Sequence, residues 1–279
     1  MTTGDRRPKP APVGAWGRAK VLALLVAGAL AGLLLLVGLG LALYYGLDPS
    51  PAPGKPASTV PPRGAAAGPR RPGDRQVARR DDLAATPMPP GSATDAQPSV
   101  LSTRDPGFIV LPKATTAGPV GVPAGFAHTP AGALAQLAAI DTAALDSASV
   151  GGARAVIDHW AAAGGPTAAT WSGVRAMADF LSAAGLSAGR PPDLALSATP
   201  LMGLVKATDG GDWVVACVDF EVDATLTRTA REAVADCQRM VWAGSRWVIG
   251  PGAEPAPAPS IWPGTDASID AGYKELRSE

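Results

Sequence analysis

The sequence predicts an α+β protein in three parts: one N-terminal transmembrane helix, a Pro-rich linker, and a domain of about three helices followed by about four antiparallel strands. Three observations predict it. Val21 to Leu47 contains no charged residue, and Lys20 and Asp48 bound it. Residues 48–125 hold sixteen Pro and nine Gly. Beyond Thr129 the apolar pattern is first helical and then strand-like, which is the order of α+β domains.

The uncharged stretch is 27 residues long, and a helix of about 20 apolar residues crosses a bilayer. A cleavable signal peptide has a shorter apolar region and a small-residue cleavage site. Tyr44-Tyr45-Gly46-Leu47 does not supply such a site and suits an outer aromatic belt. The stretch therefore reads as an uncleaved anchor. Arg6, Arg7, Lys9, Arg18 and Lys20 precede it, so the positive-inside rule places residues 1–20 in the cytoplasm and everything beyond Asp48 outside. Gly28 and Gly32 form a GxxxG pair suited to packing between membrane helices.

The net charge of zero hides a segregation. The head 1–20 carries net +4, residues 48–125 carry +3, and residues 126–279 carry −7. An acidic exported domain argues against nucleic-acid binding through phosphates. Residues 48–125 are too poor in large apolar side chains to offset the entropy of ordering and are expected to be an extended, disordered spacer. Its Arg70, Arg71, Arg75, Arg79 and Arg80 read as solvated charge. Gly107 to Pro112 is more apolar and is expected to dock as a leading arm.

The domain is expected over residues 126–275, with 276–279 as a tail. Thr129-Pro130 is an N-cap followed by Pro at the first helical position. Leu134, Leu137, Ile140 and Leu145 continue that helix to about Asp146. A second helix carries Ala153, Val156, Ile157 and Trp160, and a third carries Trp171, Val174, Met177 and Leu181 before Gly185. Residues 194–208 predict one or two strands interrupted near Pro200, and Asp209 to Asp212 predicts a turn. Trp213 to Thr225 and Thr229 to Trp242 predict two long strands, and Arg246 to Ile249 a fourth. The tail after Gly250 is again Pro-rich, with Ile261, Trp262 and Ile269 to Leu276 able to pack back.

A hairpin centred on Leu226–Arg228 pairs residues whose numbers sum to 454. It sets Thr225 opposite Thr229 and Cys217 opposite Cys237, at the Cβ separation a disulfide requires. A Cys217–Cys237 bridge is therefore predicted, consistent with an oxidising compartment.

No catalytic residue, cofactor-binding residue or metal ligand is nominated, and no cofactor is expected. His128 and His159 lack metal-ligand spacing, and Asp158 and His159 point apart on a helix. There is no nucleophile elbow and no P-loop. Asp219, Glu221, Asp223 and Asp236 alternate along the strands as solvent-face residues do.

Basic head, single span, linker and helices-then-strands domain resemble the TcpC-like scaffold subunits of Gram-positive conjugation and type IV secretion systems. Gly125 to Leu134 and Asp236 to Trp242, with Arg246 to Pro251 following, carry the sequence likeness. The resemblance implies an extracytoplasmic domain of the nuclear-transport-factor-two-like class, with a cone-like shape and a curved sheet. It also implies a non-enzymatic, single-pass membrane component that oligomerises beside a secretion ATPase and polytopic channel subunits. The linker is longer than in that family, and one cone-like domain replaces two. Two alternatives share the architecture: an accessory subunit of a lipid-import complex, and a tethered small-ligand-binding domain. The last requires a pocket holding a polar group and a carboxylate of perturbed pKa.

Overall fold

The computed structural model describes residues 71–279. It contains helices α1 (Pro72–Ala85), α2 (Pro130–Asp146), α3 (Val150–Trp160), α4 (Ser172–Ala183) and α5 (Asp266–Asp270). The strands are β1 (Phe108–Leu111), β2 (Thr116–Ala117), β3 (Pro123–Ala124), β4 (Ala195–Thr208), β5 (Trp213–Thr225), β6 (Thr229–Trp242), β7 (Trp247–Ile249) and β8 (Lys274–Ser278). Six strands form one sheet in the order β1-β8-β4-β5-β6-β7, and β2 pairs with β3 apart from it. All pairs are antiparallel except β1 with β8, which run parallel.

Helix α2 begins where the cap chemistry demands. The Thr129 hydroxyl accepts from the Gly132 N–H, and Pro130 occupies the first turn. Gly132 is required because a Cβ there would lie 1.9 Å from the Ala127 carbonyl oxygen. Ser149 caps α3 in the same manner through Gly152 N–H. α2, α3 and α4 cover one face of the sheet. Leu134, Leu137, Ile140, Ile157, Trp160, Met177 and Leu181 meet Val214, Ala216, Val218 and Phe220 of β5 in a single core.

The opposite face is also covered, by α1, which the sequence does not mark as structural, and by the tail, whose Ile261 and the segment after Ile269 pack back as expected. Ala84 of α1, Ile261, Ala271 and Tyr273 form a second core with Trp213, Val215 and Cys217. The Met88 thioether lies 3.8 and 3.7 Å from the two cysteine sulfurs. Ala256 N–H donates to the Ala84 carbonyl and Trp262 N–H to that of Asp95, tying the Pro-rich tail to the chain around α1. Arg80 and Gln76 donate to the Asp209 carboxylate at 2.8 and 3.1 Å, and Arg79 pairs with it at 3.3 Å. These charged hydrogen bonds, Arg80 foremost, hold Asp209 below the usual carboxylate range.

The fold expectation is therefore corrected. The described residues hold five helices rather than about three, and the main sheet has six strands rather than about four. The two added strands are the apolar arm before Pro112, which becomes β1, and the late segment, which becomes β8. Residues 71–125 are not a featureless Pro-rich linker, since they supply α1, β1, β2 and β3. The reason is that an antiparallel sheet with apolar side chains on both faces needs a layer on each, and composition alone hides how many small residues fill the second one. β4 is continuous through Pro200, with its register shifting between Pro200 and Met202 just where β8 joins; a Pro is tolerated at such an irregularity.

The predicted membrane span 21–47, with Gly28 and Gly32, lies outside the described residues. Among the described residues no helix is long and apolar enough to cross a membrane.

The β5–β6 hairpin has the predicted register throughout, from Trp213 opposite Val241 to Thr225 opposite Thr229. Cys217 and Cys237 face each other within it and are joined as a disulfide.

Candidate functional site

A cavity of about 180 Å³ opens between α2, α4, β6 and the tail segment 254–258. Its wall is built from a regular alternation and two irregular devices. On β6, the residues of even number from 234 to 240 face the helices, as shown by Val234 and Met240 in the helix-side core. Asp236 shares that face with Gln238. Helix α2 presents Asp141 to the same space, one turn before Leu145. Helix α4 begins at Ser172 with Trp171 as its N-cap residue, which supplies no side-chain cap.

The missing cap comes from the tail. Glu254 accepts from the Ser172 N–H at 2.7 Å and from the Ser172 hydroxyl at 3.0 Å. Arg175 approaches the other carboxylate oxygen at 4.0 Å. A carboxylate at a helix N-terminus satisfies orphan N–H groups and complements the helix dipole. The cap also positions the tail as the outer wall of the cavity, followed by Pro255, Pro257 and Ala258. The Trp171 ring lies over the helix start because residue 173 is Gly; a Cβ there would come within 2.8 Å of the indole.

The cavity is apolar apart from these groups, and its carboxyls are unusual. Asp141 is 5% exposed and its Oδ2 has no hydrogen-bond partner. Burial raises its pKa well above the ordinary carboxyl range, and the nearby Asp236 raises it further. Asp236 accepts from the Gln238 side-chain amide at 2.9 and 3.2 Å. Burial pushes Asp236 up to about 6, and Gln238 opposes the shift only in part. The indole N–H of Trp171, in a side chain buried to 2% exposure, is also without a partner. Two carboxyls and one N–H donor thus converge on an apolar space, the arrangement of small-molecule sites.

The sequence assigned Asp219 and Asp236 to a solvent face, and the structure corrects both. Asp219 is fully buried on the disulfide side of the sheet, and neither carboxylate oxygen has a hydrogen-bond partner. Burial raises it to about 8; the Ile261 backbone N–H, too poorly placed to make a full hydrogen bond, opposes the shift only in part. The alternation holds along β5, where Asp219, Glu221 and Asp223 share one face, but Asp236 of β6 pairs with Val218 and lies on the other face, toward the helices, and both faces are covered. Asp223 lies toward solvent at 41% exposure, Glu221 is largely covered at 16%, and the two share Arg231.

The two histidines remain apart. His128 stacks on Trp242 with ring centroids 4.2 Å apart, and its Nε2 lies 2.8 Å from an Asp212 carboxylate oxygen. His159 is exposed in the last turn of α3. Among the described residues no group of three or more His, Cys, Asp or Glu side chains is arranged to hold a metal ion. Asp141, Trp171 and Glu254 are cavity residues that the sequence alone does not single out. Asp141 carried a signal, as a charged residue among Leu137, Ile140 and Leu145 on the buried side of α2.

Comparison of the chain with family models, with curated proteins and with solved structures finds no match in any of the three.

Proposed function

We propose that this protein is a non-enzymatic structural subunit of a bacterial conjugation or type IV secretion-like channel, anchored by residues 21–47 with its C-terminal domain outside the cell membrane. The observation that carries the reading is the end of the sheet. β1 is its terminal strand, and it displays Phe108 and Val110 at 53% and 43% exposure. Arg277 lies over the Phe108 ring at 4.2 Å, but among the described residues no strand lies along the outer edge of β1. Terminal strands with apolar side chains are templates for adding a further strand. A second copy of the chain or a neighbouring channel subunit would add there.

Two further features support the placement. The hairpin disulfide suits an oxidising compartment. The basic head before an uncharged 27-residue stretch suits a single span with its N-terminus in the cytoplasm.

Gene deletion followed by a DNA-transfer assay tests the proposal. Transfer is expected to fall sharply and to return with the wild-type gene but not with the F108D/V110D variant. Unchanged transfer in the deletion strain overturns it.

A further inference from the structure

We propose that the cavity between α2, α4, β6 and the tail binds a small organic monocation with a short apolar body, its cationic head between Asp141 and Asp236. The inference is independent of the channel proposal.

The size sets the scale of the ligand. A dry cavity of about 150 Å³ takes up benzene, and this one measures about 180 Å³. The walls supply an apolar, aromatic body through Trp171, Phe220 and Leu145. Such surfaces favour a cation with hydrocarbon attached over an inorganic ion, and aromatic faces attract cationic heads.

The charge sets the sign. From α2 the cavity is faced by Asp141, from β6 by Asp236, and from the tail by Glu254. α4 contributes Arg175, which is 64% exposed and pairs with Glu254. β5 contributes Phe220, and Arg239 of β6 points to the opposite face, onto Asp81. Glu254 is satisfied by Ser172, whereas Asp141 retains a buried oxygen with no partner. An unpartnered buried acceptor costs free energy until something donates to it. An ammonium head placed there donates to Asp141 and Asp236 together and offsets the repulsion between them as they ionise. Protons held by the pair are then released into solution.

Calorimetric titration of the full-length chain in detergent, with benzylamine as probe, tests this. Benzyl alcohol and benzoate are the neutral and anionic controls. Benzylamine is expected to bind about tenfold more tightly at pH 7.5 than at pH 5, as Asp236 ionises through its value of about 6. Near pH 6 the heat is expected to vary with the ionisation enthalpy of the buffer, reporting proton release. D236N and D141N are each expected to weaken binding about tenfold or more. Because Ala176 is an exposed residue at the rim, A176W is expected to block binding while keeping the wild-type unfolding temperature. Equal binding of benzyl alcohol, binding unaffected by D236N and D141N, or no heat with benzylamine at millimolar concentration overturns the proposal.

Discussion

Cys217 and Cys237 stand directly opposite one another on β5 and β6 and are covalently joined, with Cα atoms 4.0 Å apart. The bond staples two of the three long strands near mid-length, beneath Met88 and beside Tyr273 and Ile261. Its two cysteines are separated by 20 positions in sequence, and for a loop of that size the chain-entropy model gives about 3 kcal/mol. The C217A/C237A variant is therefore expected to lose about that much in urea unfolding relative to the oxidised protein. An equal midpoint with equal slope would show that the hairpin needs no staple.

Stability is expected to fall as pH rises from about 4 to about 8. Asp219 has its pKa raised by burial to about 8, against an ordinary value near 3.8. Between those values the folded chain keeps a proton that the unfolded chain has released. Raising the pH across this window therefore removes stability, and the loss levels off above the folded value. Asp236, raised to about 6, adds the same sign over a narrower range. D219N is expected to flatten the profile. It should be near neutral at pH 4 and stabilising at pH 8 by on the order of 2 kcal/mol. Thermal unfolding across pH 4–9 measures both.

Glu254 caps a helix from 82 residues away in sequence, through Ser172 N–H and hydroxyl. E254A is expected to cost about 1 kcal/mol, as loss of an N-cap does. Amide exchange at the first turn of α4 should accelerate more than at α2, whose Thr129 cap is untouched. T129A is expected to show the reverse pattern at similar cost.

Asp81 of α1 receives a hydrogen bond of 2.6 Å from Arg239, whose side chain is 6% exposed. D81A leaves that guanidinium buried without its carboxylate and is expected to cost about 2 kcal/mol. The D81A/R239M double variant should recover most of the loss, since it removes the orphaned charge. Urea midpoints of the four proteins close the cycle.

The helices over residues 130–183 and the four strands over residues 195–249 were legible because their signals are local. Thr129-Pro130, and the Gly that follows the second and third of these helices, mark boundaries to within about a turn. The hairpin register followed from loop length and strand length alone, and Cys217 opposite Cys237 was its test. The second layer was legible only in part. Ile261, Trp262 and the segment after Ile269 read as able to pack back, and they do. Ala84, Met88 and Ala96 are sparse among prolines, so no periodicity announces that α1 and the chain after it are to cover the sheet. Their order depends on a surface that other segments create. The same blindness hid the cavity. Whether Asp219 and Asp236 meet water depends on what covers each face, and strand alternation does not encode that. Trp171 and Glu254 come together only because the tail returns to α4.

The central claim is assembly with a secretion channel, and a mild-detergent pull-down of the full-length protein from its native membrane tests it most directly. Mass spectrometry of the eluate is expected to identify a secretion-type ATPase and polytopic channel proteins, and the F108D/V110D variant should lose them. Recovery of a lipid-transport permease instead, or of this chain alone, would contradict the account.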